Sequence, residues 1–215
     1  MSSEVFPCPL CGDGREKSSL TGPDRRGYRR CGSCDLVFVD RADLLPPADE
    51  RQRYEHHNNG PEYPGYVQFL SRAVDPTVPY LSAGMRGIDY GCGPGPTISA
   101  MLAAHDIRCD DYDPYFRPID LRPPYDFVFC TECFEHFHDP AQSISHLVSL
   151  VRPGGVVTIM TELLDDETEF SDWFYARDLT HTAFYTHRTF EYIRKRFGLT
   201  ELFEDTRRVR VYRRE

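Results

Sequence analysis

The stretch Arg86-Gly-Ile-Asp-Tyr-Gly-Cys-Gly-Pro-Gly-Pro-Thr97 sets the architecture that we expect for this chain. It starts as a short apolar-leaning run, turns through three glycines, and enters a helical-looking segment from Thr97 to Ala104. Glycines at such a turn permit positive φ and let the backbone approach a ligand closely. The helix that follows begins with unpaired N–H groups. The stretch therefore predicts a strand, a glycine turn and a helix around a bound ligand.

The glycine spacing excludes two common phosphate sites. No Lys follows the glycines, so this is not the G-x-x-x-x-G-K-[ST] loop, and G-x-G-x-G differs from the dinucleotide pattern G-x-G-x-x-G. Asp89 stands two residues before Gly91, at the predicted end of the strand. A carboxylate there would repel a pyrophosphate but suits a cation or hydroxyl groups. We therefore expect a ligand other than a dinucleotide.

The same stretch carries a family resemblance. Asp89-Tyr-Gly-Cys-Gly-Pro-Gly95 resembles motif I of the class I S-adenosylmethionine (SAM) dependent methyltransferases. Further on, Tyr125 to Pro140 resembles the fourth strand of that family and its exit loop, with Glu135-His136 and Asp139-Pro140 in the expected places. The resemblance covers about residues 54–215. It implies a Rossmann-like, doubly wound and mostly parallel α/β sheet, with SAM at the carboxyl ends of the strands.

The resemblance also implies which residues contact SAM. Asp113, in Asp113-Pro114, follows the second predicted strand, where an acid is placed to bond ribose hydroxyls, and Asp111 is the alternative. Asp113-Pro114 could instead simply form a turn. The full set of expected cofactor residues lies at the ends of three predicted strands: Asp89, Gly91, Cys92, Gly93, Gly95, Asp113, Cys130 and Thr131.

The chain departs from the family pattern after Asp113. Only a dozen residues separate Asp113 from Tyr125, and they include four prolines. Proline inside a helix removes a hydrogen bond and clashes with the preceding turn. The second helix is therefore expected to be missing and the third strand vestigial or lost, which shortens the sheet on that side.

Two C-x-x-C pairs define the N-terminal module. Cys8, Cys11, Cys31 and Cys34 have the spacing of a four-thiolate zinc site. The glycine after Cys11 and Gly32 inside the second pair suit tight turns. A closed set of four ligands indicates a structural zinc, because catalytic zinc keeps an open position. We predict a zinc ribbon over residues 1–42 and a methyltransferase domain over 54–215, with the charged, proline-containing segment 40–53 as a linker.

Two histidines are candidate general bases. A base is needed only if the acceptor must lose a proton, and histidine titrates in the appropriate range. His136 leaves the fourth predicted strand near the cofactor, and His181 lies among aromatic residues. A structural role is an equally open interpretation for each. His136, His138 and Asp139 could suggest a metal, but the helix-spaced ligand pattern of zinc enzymes is absent.

Composition bounds the remaining alternatives. The 215 residues carry a formal net charge of −9, no apolar run approaches a membrane span, and the N-terminus does not resemble a signal peptide, so a cytoplasmic protein is expected. Overall acidity opposes non-specific nucleic-acid binding. Two basic clusters nevertheless leave room for a local anionic partner: Arg25, Arg26, Arg29 and Arg30, and Arg207, Arg208, Arg210, Arg213 and Arg214.

We therefore predict a SAM-dependent methyltransferase with a small polar acceptor such as a sugar or another metabolite. An aromatic-rich insertion, residues 162–190, is expected to face this acceptor, with an aromatic core as the alternative interpretation. Likewise, the aromatic helix expected within 54–80 either covers SAM or packs on the core. Two other functions stay open: an RNA methyltransferase, and a partner-binding protein with a degenerate methyltransferase fold.

Overall fold

A computed structural model describes residues 6–55 and 59–215. The pair His56-His57, which we expect to be exposed, lies outside the described residues. Ten strands occur in the described part, in chain order: β1 (Glu16–Thr21), β2 (Gly27–Cys31), β3 (Val37–Val39), β4 (Arg86–Tyr90), β5 (Arg108–Tyr112), β6 (Tyr125–Thr131), β7 (Val151–Met160), β8 (Ala183–Phe184), β9 (Leu199–Glu204) and β10 (Val209–Arg214). The α-helices are α1 (Pro47–Tyr54), α2 (Pro64–Thr77), α3 (Ile98–Ala103), α4 (Pro140–Ser149) and α5 (His187–Arg196).

The central sheet has six strands in the order β5-β4-β6-β7-β10-β9. β5, β4, β6 and β7 run parallel, and β10 is antiparallel to both of its neighbours, β7 and β9. Strand β6 has six of its seven residues buried, as expected for a parallel strand covered on both faces. This confirms the predicted mixed α/β fold with a mostly parallel sheet.

The predicted shortening of the sheet is also confirmed. Residues 113–124 form no strand that joins the sheet, and their only ladder contact is an isolated bridge between Asp113 and Arg117. β5 is consequently an edge strand. The two strands that follow β4 in the chain lie on opposite sides of it, β5 on one side and β6 on the other, so the strand order reverses at β4. Open α/β sheets bind ligands at such a reversal of strand order, beyond the carboxyl ends of the strands.

One local prediction was wrong. Segment 40–53 is not simply a linker, because Pro47 starts helix α1, where its missing N–H costs nothing and its fixed φ suits a helix. Pro153-Gly154-Gly155 lies within β7, where Gly154 has φ +76°. Its irregular backbone coincides with a register shift between β6 and β7.

The N-terminal module shares its sheet with the larger domain. β1, β2 and β3 form an antiparallel sheet whose fourth strand is β8, contributed by the insertion. An aromatic cluster packs between this sheet and the insertion. It includes Tyr28 of β2 and, from the insertion, Phe170, Trp173 and Phe184. The insertion therefore joins the N-terminal module to the larger domain. None of the helices in 6–55 and 59–215 has the length and apolar composition needed to cross a bilayer.

Candidate active site

The glycine turn joins the ends of two neighbouring strands. Gly91 and Gly93 have φ of +83° and +64°, which glycine adopts without steric cost. The N–H groups of Gly91 and Cys92 both donate to the carbonyl oxygen of Tyr112, at 2.8 and 3.1 Å. A Cβ on Gly91 would lie 2.6 Å from Sγ of Cys133. Both the backbone conformation and the space available require glycine at position 91.

Gly95 is required for a different reason. Its φ is not positive, but a Cβ there would lie 1.9 Å from the carbonyl oxygen of Asn59. The segment that follows α1 therefore rests directly on the glycine turn. The sequence alone attributes Gly95 to close approach of a ligand, whereas the structure shows close approach of the chain's own backbone.

Asp113 organises the loop after β5. Its carboxylate accepts hydrogen bonds from the N–H groups of Gly93 at 3.1 Å, Tyr115 at 2.8 Å and Phe116 at 3.0 Å. One Asp113 oxygen thus holds the glycine turn, while the other caps the turn after β5. Asp113 also borders the cavity beside the glycine turn, and its ribose contact stays a prediction.

A cavity of about 550 Å³ opens beside the glycine turn, within the range of roughly 300–1,000 Å³ found for small-molecule sites. Four of the predicted cofactor residues border it: Gly91, Gly93, Asp113 and Thr131. Its described lining contains four carboxylate side chains and neither lysine nor arginine. Those carboxylates belong to Glu50, Asp113, Glu132 and Glu135.

The other four predicted cofactor residues do not border this cavity, and one of them is Gly95, which packs against Asn59. Cys130 is fully buried in the hydrophobic core, and Cys92 is buried beside the turn. Asp89 is buried too, and Oδ1 of its carboxylate has no hydrogen-bond partner. Burial, reinforced by the charges of Asp111 and Asp113, holds the pKa of Asp89 well above its usual value.

Helix α1 covers one side of the cavity. Glu50, a buried residue of this helix, accepts a hydrogen bond from Nε2 of His138 at 2.7 Å. Tyr54, at the end of the helix, lies with its hydroxyl 3.2 Å from Nδ1 of His136. Tyr66 of α2 lines the same space. The structure thus places the aromatic segment between 54 and 80 both against the core and over the cavity.

Both candidate bases lie in this cavity and face one another. The ring centroids of His136 and His181 are 4.8 Å apart, with the planes at 73°. Nδ1 of His136 lies 3.1 Å from the Thr180 carbonyl oxygen, and Nδ1 of His181 lies 2.6 Å from the Tyr175 carbonyl oxygen. Each Nδ1–H can therefore donate to a carbonyl, which leaves the lone pair on Nε2. Burial, followed by the charge of His136, lowers the pKa of His181 to about 4.

Glu135 completes this group. Its side chain is fully buried, and Oε2 accepts a hydrogen bond from the Thr161 hydroxyl at 2.7 Å. Oε1 has no hydrogen-bond partner and lies 3.9 Å from Nε2 of His136. One atom from each of Glu135, His136 and His181 lies within 4.8 Å of the other two. We refer to these three residues as the carboxylate–histidine cluster.

Sequence reasoning gave no role to the two glutamates of this loop. Glu132, in the left-handed region with φ +47°, pairs with Arg208 at 3.3 Å and accepts a hydrogen bond from the Tyr175 hydroxyl at 3.2 Å. Burial, followed by the charge of Glu135, raises the pKa of Glu132 to about 8. The available signal was two acids close to His136 at the end of a buried strand, a usual position for polar site residues.

The aromatic residues of the insertion differ from the expected acceptor wall. Trp173 is 7% exposed and Phe184 is fully buried, and both pack against the N-terminal module. Within the described lining of the cavity, His181 is the insertion's only residue. The aromatic side chains belong to the core because strand β8 anchors the insertion in the N-terminal sheet.

The predicted basic clusters are mostly engaged within the protein. Arg210 is 1% exposed, lies 3.0 Å from Nδ1 of His187 and pairs with Glu204 at 3.3 Å. Arg207 and Arg208 both pair with Glu162. In the first cluster, Arg26 pairs with Asp24, Arg29 with Asp40 and Arg30 with Asp35. Most of these arginine side chains therefore form ion pairs within the protein.

The four N-terminal cysteines converge as predicted. Sγ of Cys8 lies 3.6 Å from Sγ of Cys34, Sγ of Cys11 lies 3.5 Å from Sγ of Cys31, and all four sulfurs lie within 4.8 Å of one another. Four sulfurs at about 2.3 Å from a tetrahedral zinc would be roughly 3.8 Å apart, so the spacing fits the ion. All four cysteines are free thiols.

The two cysteine turns share one backbone feature. The residue directly after the second cysteine is in the left-handed region in both: Gly12 with φ +75° and Asp35 with φ +65°. The N–H of Ser33 points to Sγ of Cys31 at 3.4 Å, which is the N–H to sulfur contact expected in such a turn. Gly32 lies in the second turn, as predicted, but without a positive φ.

Comparison with known proteins agrees with this geometry. A sequence model of the family described as "Methyltransferase domain" matches residues 54–202. No curated protein sequence matches the chain.

Among solved structures, a 1,6-didemethyltoxoflavin-N1-methyltransferase from Burkholderia thailandensis, with 1,6-didemethyltoxoflavin and S-adenosylhomocysteine bound, is 14% identical. That match has a TM-score of 0.54 and covers 88% of this chain and 96% of the other. An O-methyltransferase family protein from Burkholderia thailandensis is 17% identical, covers 77% of this chain and 63% of its own, and has a TM-score of 0.47. A putative methyltransferase from Bacillus halodurans is 16% identical and has a TM-score of 0.44, and the match covers 62% of this chain and 71% of the other.

The match over residues 54–202 spans most of the chain, and it includes the glycine turn, Asp113 and the loop that carries Glu135 and His136. The six-stranded sheet has the methyltransferase arrangement without its third strand. The chain therefore belongs to the methyltransferase domain family and is a class I SAM-dependent methyltransferase.

Proposed function

We propose that this enzyme transfers a methyl group from SAM to a small polar acceptor, such as a sugar or another hydroxylated metabolite, bound in the 550 Å³ cavity. The supporting observation is the acidic character of that cavity, whose described lining holds Glu50, Asp113 and Glu135, together with Glu132, whose pKa is raised to about 8, and no lysine or arginine. Negative charge favours the cationic sulfonium of SAM. It opposes the phosphate backbone of a nucleic acid, which proteins normally bind through lysine and arginine.

SAM would lie along Gly91 and Gly93, with its ribose hydroxyls on Asp113 and its reactive end near Thr131 and the carboxylate–histidine cluster. Bound SAM supplies an electrophilic methyl group. The chain's own residues position the acceptor in line with that group, and such alignment can contribute roughly 7–11 kcal/mol to catalysis. Helix α1 and Asn59 cover the cavity and would exclude water.

The acceptor would lose its proton at the carboxylate–histidine cluster. His136 is the better base of the two histidines, because burial holds the pKa of His181 near 4, which is low for a base that acts at neutral pH. In this proposal, the acceptor oxygen attacks the methyl carbon, the carbon–sulfur bond breaks, and Nε2 of His136 receives the proton. His181 and Glu135 would orient the acceptor.

We also propose that the four-cysteine cluster holds one structural zinc. The support is the separation of the sulfurs and the two matching left-handed residues, Gly12 and Asp35. A closed four-thiolate set leaves no position for substrate, so this ion would stabilise the N-terminal module and not act in the transfer.

The acceptor class is tested with SAM carrying a labelled methyl group and two sets of acceptors: hydroxylated small molecules and single-stranded or structured RNA. We expect formation of S-adenosylhomocysteine with a small acceptor and weak, salt-sensitive binding of RNA. RNA binding at micromolar or tighter Kd, with activity on RNA that is lost when Arg213 and Arg214 are changed to Ala, would replace the small-molecule proposal with the RNA hypothesis.

A further inference from the structure

We infer that the carboxylate–histidine cluster of Glu135, His136 and His181 is a binding site for a divalent transition-metal cation. It lies in the methyltransferase cavity, whose described lining includes none of the four zinc-site cysteines. The inference rests on three features: the ligand types, the unpartnered carboxylate oxygen and the hydrogen bonds behind the histidines.

The ligand types and their positions come first. Two imidazoles and one carboxylate converge, with one donor atom of each within 4.8 Å of the other two. Neighbouring ligand atoms in an occupied site of this kind lie about 3–3.5 Å apart, given metal–ligand bonds of roughly 2.0–2.2 Å. Modest side-chain rotation would close the three donors around an ion. Two histidines with one carboxylate suit cations such as Mn²⁺, Fe²⁺, Co²⁺ or Zn²⁺ more than Mg²⁺ or Ca²⁺.

The carboxylate of Glu135 provides the second feature. The residue has no exposed surface, yet Oε1 has no hydrogen-bond partner and lies 3.9 Å from Nε2 of His136. An unpartnered polar atom in the protein interior costs free energy, and buried polar groups are normally satisfied. A cation would provide the missing partner, because Oε2 is already held by the Thr161 hydroxyl.

The hydrogen bonds behind the two histidines provide the third feature. Metal-bound histidines typically donate their second ring N–H to a carbonyl or carboxylate, which fixes the tautomer and the ring orientation. Nδ1 of His136 faces the Thr180 carbonyl oxygen, and Nδ1 of His181 faces the Tyr175 carbonyl oxygen at 2.6 Å. Both rings are therefore held with Nε2 available as a ligand.

Three protein ligands leave coordination positions open toward the cavity. If the proposed methyl transfer is correct, an acceptor hydroxyl can occupy one of them, which commits the acceptor to a hydroxyl-bearing compound. The cation would lower the pKa of that hydroxyl, and its proton would leave to water. The oxygen would then attack the methyl carbon while the carbon–sulfur bond breaks, giving a methyl ether and S-adenosylhomocysteine. With a cation bound, this step replaces the proton transfer to His136 in the proposed function, and His136 acts as a ligand of the cation.

The site is tested by binding of Mn²⁺, followed as loss of the free Mn²⁺ signal in electron paramagnetic resonance. Mn²⁺ is a hard ion that the four thiolates bind poorly, so the cysteine cluster can keep its zinc during the titration. The variants are Glu135→Gln and His181→Gln, and the control is His138→Gln, which changes a histidine in the same cavity outside the cluster. Calorimetric binding of S-adenosylhomocysteine shows in each sample that the domain is folded.

We expect one Mn²⁺ per chain in the unchanged protein and in the His138→Gln control, and at least tenfold weaker binding in both cluster variants. Absence of Mn²⁺ binding at millimolar concentration, or equal affinity in the cluster variants, would overturn the inference. Mn²⁺ binding without methyl transfer to any hydroxylated acceptor would leave the metal site standing and count against the proposed function. Methyl transfer that is unchanged by EDTA, in a protein that binds no Mn²⁺, would support the proposed function and overturn the metal site.

Discussion

The imidazole of His136 lies edge-on to that of His181, with ring centroids 4.8 Å apart, although His136 follows β6 and His181 belongs to the insertion, just before β8. Strand β8 makes this contact possible, because its pairing with β3 anchors the insertion. Thr182, next to His181, donates its N–H to the Glu135 carbonyl oxygen at 2.7 Å. The N-terminal module thus supports the loop that completes the active-site cavity.

Loss of one zinc-site cysteine should therefore destabilise more than the N-terminal module. We predict about one tightly held zinc per chain in the unchanged protein. The control variant Cys109→Ser, which changes a cysteine outside the four-cysteine cluster, should also hold one zinc. Cys34→Ser should lose the ion. Structural zinc contributes on the order of 10 kcal/mol to folding in small zinc modules, so the variant should also melt at a lower temperature. Elemental analysis and thermal unfolding measure the two effects.

Hydrogen exchange can locate the consequence of zinc loss. In Cys34→Ser, amide protection should fall in β1–β3 and also in the stretch 170–184 that packs against them. A protein that folds natively without metal, or a disulfide among these cysteines, would disprove the zinc assignment.

Asp113→Ala should weaken SAM binding. The variant removes the proposed charge-assisted bonds to the ribose, worth roughly 1.5–3 kcal/mol, or about 10–150-fold in Kd. The structure adds a second reason, because the Asp113 carboxylate also accepts the Gly93 N–H. Isothermal titration with SAM measures the change, and Asp120→Ala, at an exposed position of the same loop, is the control.

Asp113→Asn separates the two contributions. Its amide oxygen can still accept N–H bonds from the loop, but the negative charge is gone. An intermediate SAM affinity is expected. If both substitutions at this position leave SAM affinity unchanged, the ribose assignment is wrong.

Gly95→Ala should disturb the cover of the cavity. The new Cβ would lie 1.9 Å from the Asn59 carbonyl oxygen, so the segment at 59–60 must shift. Overpacking of this kind costs about 1–3 kcal/mol, which corresponds to about 5–150-fold in Kd if the cost is borne by the cofactor-bound state. We expect weaker binding of S-adenosylhomocysteine by calorimetry.

Gly65→Ala is the matched control for that substitution. Gly65 lies in α2, and a Cβ there meets no atom within 4 Å. The control should bind S-adenosylhomocysteine normally and have equal or slightly higher stability, because alanine is the better helix former. Equal cofactor affinity in both glycine variants would show that Asn59 does not cover the cofactor.

Asp205 should make the stability of the C-terminal hairpin depend on pH. Its Oδ1 accepts N–H bonds from Arg207 at 2.9 Å and Val209 at 2.8 Å, and also from Arg208. Burial alone would raise the pKa of Asp205, but the N–H bonds outweigh it, so the pKa is lowered. A carboxyl whose pKa is lowered by folding stabilises the folded state at pH values above about 3.9, the pKa of an unfolded aspartate. This stabilisation is lost as the pH falls through the pKa of the folded state.

Asp205→Asn should consequently reduce the urea midpoint at pH 7 and show a shallower loss of stability below about pH 4 than the unchanged protein. The loss at pH 7 should be about 1–2 kcal/mol, in the range of a lost turn or cap hydrogen bond. Asp75→Asn, exposed on α2, is the control and should follow the unchanged protein. Parallel acid profiles for all three proteins would refute the role of Asp205.

The sequence by itself determined the parts whose chemistry is local. The glycine turn needs positive φ at Gly91 and Gly93, the paired cysteines need short turns, and four prolines after Asp113 prevent a helix; each requirement is written in neighbouring residues. The family resemblance of the glycine turn and of the loop with Glu135-His136 likewise implies the parallel sheet, and the short proline-rich interval predicts the missing strand. These features do not depend on which distant segments meet.

Only the tertiary structure decided which residues share the cavity. Asn59 explains Gly95, Glu50 reaches His138, and His181 meets Glu135 through contacts between segments far apart in the chain. The insertion's aromatic residues have the composition of a pocket wall, but β8 pairs with β3 and draws them into the core. Long-range contacts depend on the packing of the whole sheet, and local sequence preferences do not contain that information.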